Sequence, residues 1–114
     1  MCSMFQRYVA GWLNAGVIGP GRKKHYDVVI RELTRFLIIN GIDGLSVNEF
    51  NKEHILSFRD FLRKEYTLVE KFPELYAGMN KRNIPSKERS QNTIAEKLLL
   101  LQAFMVELES NDVI

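Results

Sequence analysis

A chain of 114 residues can bury one hydrophobic core and is too short for two, so a single domain spanning residues 1–114 is expected. Its 46% hydrophobic and 26% charged residues exclude a disordered or fibrous chain, and its longest apolar run, Leu98 to Leu101, falls far short of the roughly 20 residues of a membrane span. The formal net charge of +2 makes no case for a polyanion, and a single cysteine, Cys2, excludes both an intrachain disulfide and a thiolate metal cluster.

Met1 to Arg7 lacks the basic stretch and apolar run of a secretion signal, so a cytoplasmic protein is expected, with Cys2 idle at a frayed terminus. From Phe5 to Ala15, the apolar residues Phe5, Tyr8, Val9, Trp12 and Leu13 recur at steps of three and four, which predicts a short helix. Gly16, Gly19, Pro20 and Gly21 interrupt it with a loop. A second helix is expected from about Arg22 to Ile39, burying Tyr26, Val29, Ile30, Leu33, Phe36 and Leu37. Its polar side would carry Lys24, Asp27, Arg31 and Arg35 as a stripe, and Asn40-Gly41 would close it.

Residues 42–50 alternate apolar and polar only in part and read as an extended connector. Asn51 can cap a third helix running to about Tyr66, with Ile55, Phe58, Phe61, Leu62 and Tyr66 on its apolar side. Pro73, Gly78 and Pro85 make residues 67–89 a loop, with room for one helical turn around Val69 to Tyr76. The last helix has the clearest seam, Ile94, Leu98, Leu101, Met105 and Leu108, capped by Ser90 or by a Thr93/Glu96 capping box and ended near Asn111 or Asp112. Helices joined by short connectors, with no convincing strand pair, predict an all-α bundle of four to five helices.

Charge is segregated along this frame. Residues 20–35 carry Arg22, Lys23, Lys24, Arg31 and Arg35 against Asp27 and Glu32, and residues 81–97 repeat the balance, each segment being net +3. Residues 98–114 carry only Glu107, Glu109 and Asp112, a net −3. The first basic run lies at a helix start, where side chains and unpaired N–H groups can meet one phosphate, although solvated lysines serve solubility equally well. At Arg89 to Thr93 the polar side chains can reach phosphates or base edges, or serve purely as caps.

Catalytic chemistry is not visible. His25 and His54 stand apart from any ligand spacing and are expected at the surface or at a helix boundary, and Gly16 to Lys23 has neither the spacing nor the Ser/Thr of a phosphate-binding loop. No cofactor, metal, membrane or small-molecule substrate is expected.

Ser90-Gln91-Asn92-Thr93-Ile94, followed by Leu98, Leu101, Phe104 and Met105, resembles the S-x-N-T-I pattern and leucine-rich helix of tyrosine recombinases of the phage-integrase type. Tyr26 with Leu33 and Phe36 resembles an earlier helix of the same family, and the insertion from about Thr67 to Arg89 looks most like integrases of Bacteroides-type mobile elements. The resemblance implies the SAM-like core-binding domain, an orthogonal helical bundle that clamps the recombination-site duplex during DNA integration and associates with other recombinase protomers. It implies double-stranded DNA as partner, a bacterial nucleoid setting, and DNA contacts from Arg22, Lys23, Lys24, Arg31, Arg89, Gln91, Asn92, Thr93 and Lys97. It also implies that strand cleavage belongs to a separate catalytic domain following residue 114, so this piece is expected not to be an enzyme. Two alternatives stay open: a helical protein-interaction module with solubilising basic faces, and a small enzyme, which would need convergent ionisable groups in a pocket.

Overall fold

A computed structural model describes all 114 residues. The chain is an all-α bundle of α1 (Cys2–Asn14), α2 (Pro20–Ile39), α3 (Lys52–Lys64), α4 (Pro73–Tyr76) and α5 (Gln91–Ser110), with short 3-10 turns at Glu65–Thr67 and Lys81–Asn83. No helix is long and apolar enough to cross a membrane.

Local chemistry accounts for most helix ends. Pro20 opens α2 at its first position, where a missing N–H costs nothing, so the helix starts two residues earlier than the basic run. Asn51 caps α3 through Oδ1, which accepts from the N–H groups of Glu53 and His54, while His54 Nδ1 accepts from the Asn51 N–H at 3.1 Å. Ser90 caps α5: its Oγ accepts from the Thr93 N–H at 3.2 Å, so the cap lies at Ser90 and not at Thr93 with Glu96. At the other ends, α1 and α2 close alike. Val17 N–H donates to Trp12 O and Gly16 N–H to Leu13 O; Ile42 N–H donates to Leu37 O and Gly41 N–H to Ile38 O. Both closures need a left-handed residue, supplied by Gly16 at φ 74° and Gly41 at φ 67°.

The core joins α1, α2, α3 and α5. All six apolar residues expected on α2 are buried, and the Phe5 ring of α1 stacks on Phe104 of α5 at 4.2 Å. On α3, Phe58 and Phe61 lie against Phe36 of α2 with ring centres 5.4 and 5.5 Å apart. The buried side of α5 is rotated from the expected seam: Ile94, Leu101 and Leu108 are buried together with Leu100 and Phe104, while Leu98 and Met105 are only partly covered. The reason is that α5 is apolar nearly all round, so periodicity leaves open which face meets the neighbours.

Three local expectations are corrected. Helix α1 begins at Cys2, whose side chain packs against the core; burial pushes its thiol up rather than leaving it idle at a frayed end. Residues 42–50 form turns rather than an extended connector, with Val47 and Phe50 tucked into the core. Arg35 leaves the polar stripe of α2 and lies only 9% exposed, because a carboxylate from the end of α3 meets it there.

Candidate functional site

That carboxylate is Glu65, wholly buried just after α3. Arg35 donates to it through Nε at 2.6 Å and Nη2 at 3.2 Å, Arg89 through Nη2 at 2.7 Å, and the Tyr76 hydroxyl at 2.8 Å. A second buried carboxylate, Glu32 of α2, pairs with Arg89 at 2.7 Å and with Lys97 of α5 at 2.8 Å. Arg89 also donates from Nη1 to the Leu62 carbonyl at 2.8 Å, tying the segment before α5 to the end of α3. Five charged groups from α2, the turn after α3, the segment before α5 and α5 itself, with Tyr76 of α4, thus form one network, and no enclosed side-chain nitrogen or oxygen lacks a partner.

Electrostatics follows from that geometry. Burial pushes the Glu65 carboxyl up, but the hydrogen bonds and charge of Arg35, with Arg89 and Tyr76, outweigh burial and hold it below the usual carboxylate range. The Tyr76 hydroxyl is pushed well above its ordinary value by burial and by donating to Glu65. Burial works against the Arg35 charge, and Glu65 more than restores it.

The nine sequence-nominated residues separate accordingly. Arg89 and Lys97 turn inward and are each matched by buried carboxylates. Ser90 Oγ donates to Thr93 Oγ1 at 2.9 Å while capping the helix, so Thr93, although exposed, takes part in the cap. Lys23 pairs with Asp27 one turn along at 2.7 Å, an interaction of the weak surface kind. Arg22, Lys24, Arg31, Gln91 and Asn92 are exposed and hold no ion pair or hydrogen bond within the fold.

Three hollows run round the start of α5. The first, about 400 Å³, lies between α2 and α5, with Arg22, His25 and Val28 on one wall and Thr93, Lys97 and Leu99 on the other. Val28 is shared with the second, of about 360 Å³, which contains Arg31 and Arg35 and is closed by Asn80 and Asn83 from the insertion. Arg89 is shared in turn with the third, about 500 Å³, where Arg59 and Arg63 of α3 face Ser90 and Gln91. The two basic segments, distant in sequence, therefore border one surface. Arg59 and Arg63 were not singled out by sequence; their pairing with Asp60 is loose, at 3.7 and 3.9 Å, and only their place beside the α5 start marks them. Glu88 and Glu96 interrupt the same rim.

No group of His, Cys, Asp or Glu side chains could hold a metal ion. His25 is exposed, and His54 acts in the α3 cap. Comparisons with protein-family models, with curated proteins and with solved structures find no match for this chain.

Proposed function

We propose that the chain is a DNA-binding domain of the tyrosine-recombinase type, with a SAM-like bundle that holds duplex DNA while a separate domain cleaves it. The observation that carries this reading is the rim of exposed cations beside the α5 start, with Arg22 and Arg31 of α2 on one side and Arg59 and Arg63 of α3 on the other. These cations are exposed, so phosphates can meet them without dismantling the core. Gln91 and Asn92 are exposed at the helix start and supply donors and acceptors for base edges. In this reading Arg89 and Lys97 hold α5 in place instead of touching DNA, and Glu88 and Glu96 mark where phosphates are kept away. Protomer association on DNA and a nucleoid setting belong to the same proposal.

The test is binding of the full chain to duplex DNA across a salt series. Expected is micromolar or weaker affinity that falls steeply with salt, since each phosphate contact contributes a slope of about −0.9 in log K against log salt. Combining Arg22→Glu, Lys24→Glu and Arg31→Glu should flatten the slope and leave the melting temperature nearly unchanged. No measurable affinity at low salt, or affinity indifferent to these changes, rejects the reading.

A second reading, a helical protein-interaction module, is favoured by the outer face of α5. Leu99 is 62% and Val106 53% exposed there, beside exposed Ala95 and Ala103. Val106→Glu, outside the three hollows, would leave DNA affinity intact under the first reading and remove partner capture under the second.

A further inference from the structure

The hollow between α2 and the insertion differs from its two neighbours in the state of its walls. Its cations are held from behind. Arg35 spends Nε and Nη2 on Glu65 and lies over the Tyr76 ring at 5.5 Å, which fixes the guanidinium plane. Its third guanidinium nitrogen, Nη1, makes no hydrogen bond within the fold, although the residue is only 9% exposed. Since no enclosed side-chain nitrogen lacks a partner, Nη1 is open to solvent, and Arg35 lines the hollow. Arg89 also borders it, with both terminal nitrogens committed to Glu65, Glu32 and Leu62 and its Nε uncommitted.

The remaining wall supplies neutral donors. Asn80 Oδ1 accepts from the Arg82 N–H at 3.2 Å, which leaves its amide NH₂ without a partner, and the Asn83 side chain makes no hydrogen bond in the fold. Residues carrying these donors line the hollow from α2, the 3-10 turn and the segment before α5, a multi-sided arrangement suited to a tetrahedral oxyanion. A planar carboxylate is satisfied by one bidentate arginine.

Charge points the same way. The buried network sets Arg35, Arg89 and Lys97 against Glu32 and Glu65, leaving one positive charge over, and Arg31 at the rim adds a second. Both Glu32 oxygens are engaged by cations, so the one carboxylate on the lining is already neutralised. A phosphate dianion would match the surplus in a volume of about 360 Å³, ample for the group and part of what it is attached to.

We propose that this hollow is a phosphate-binding site, in which Arg31, Arg35, Arg89, Asn80 and Asn83 hold one phosphate group. The inference goes beyond the DNA reading and does not require it: the group could be carried by a small phosphorylated molecule or by a nucleic-acid strand.

The experiment titrates the full chain with inorganic phosphate, and with chloride and acetate at matched ionic strength, following the melting temperature and the Nε–H resonances of the arginines. At ten times its Kd, phosphate should stabilise the folded state about elevenfold, raising the melting temperature by about 6 °C and moving the Arg35 and Arg89 resonances. Arg31→Gln and Asn83→Asp, both at exposed positions, should melt like the parent without phosphate and lose the increment. An increment no larger than with chloride or acetate, or one that survives both substitutions, overturns the proposal. Duplex DNA then separates the sources. If Asn83→Asp, which leaves the Arg31 contact in place, binds DNA several-fold more weakly, the phosphate belongs to a strand; if phosphate binding is lost and DNA affinity is unchanged, it belongs to a small molecule. Complete absence of DNA binding with the phosphate increment intact would reject the DNA reading alone.

Discussion

Glu65→Gln removes one charge from the centre of the buried network while keeping the shape of the side chain. In the parent, Glu65 receives two hydrogen bonds from Arg35, one from Arg89 and one from Tyr76, all between 2.6 and 3.2 Å, with no exposed surface. An amide has one acceptor oxygen, so its NH₂ must face a guanidinium donor, and Arg35 loses its only ion-pair partner. Breaking a buried pair from one side costs about 3–5 kcal/mol, because the surviving charge stays desolvated. Against the usual total of about 5–15 kcal/mol, that is a large share of this domain's stability. At about 4 °C per kcal/mol for a domain of this size, the melting temperature should fall by roughly 12–20 °C. Urea unfolding followed by helical circular dichroism measures the change directly. A loss below about 1 kcal/mol would refute the reasoning and mean that water reaches Glu65 in the folded state.

The same carboxylate sets a pH dependence. Its folded value lies below its ordinary 4.5, so as pH falls the unfolded chain takes up the proton first; the stability it contributes is present above about pH 4.5 and is lost as pH falls through the folded value. Unfolding free energies of parent and Glu65→Gln should therefore converge on acidification, and a constant gap would contradict the assignment. Ser90→Ala deletes the acceptor for the Thr93 N–H and should cost about 1 kcal/mol, measured by chemical unfolding. Gly41→Ala places a Cβ in the left-handed conformation closing α2 and should cost about 1–2 kcal/mol, although nothing lies within 4 Å of that Cβ; a neutral result would show that the α2 end relaxes. Arg59→Gln with Arg63→Gln should change stability by less than about 0.5 kcal/mol, since both pairs with Asp60 are exposed and long, and should reduce the salt dependence of DNA binding.

The four long helices were legible because their determinants are local. Apolar spacing, Asn51 and Ser90 as caps, and Gly41 as a left-handed closer act within a few residues of where they stand. Helix α2 was read fully on its apolar side because that side is narrow and clearly bounded by polar residues. Helix α5 was read as a helix but turned to a shifted face, since Leu98, Leu99 and Leu100 lie on three sides of it and spacing ranks none above the others.

The candidate site was read only in outline. Arg22, Lys24 and Arg31 are exposed as the basic pattern suggested, whereas Arg89 and Lys97 look identical to them in sequence and are bound inside. What separates them is the partner. Glu65 lies 24 residues before Arg89, and Glu32 lies 65 residues before Lys97, so no local rule joins them. The sequence by itself determined which stretches are helical, the caps at Asn51 and Ser90, the closure at Gly41 and what α2 buries, because those choices are settled by neighbours in the chain. Tertiary structure alone decided which cations are spent on carboxylates and which remain for an anion, because pairing depends on which helices stand side by side.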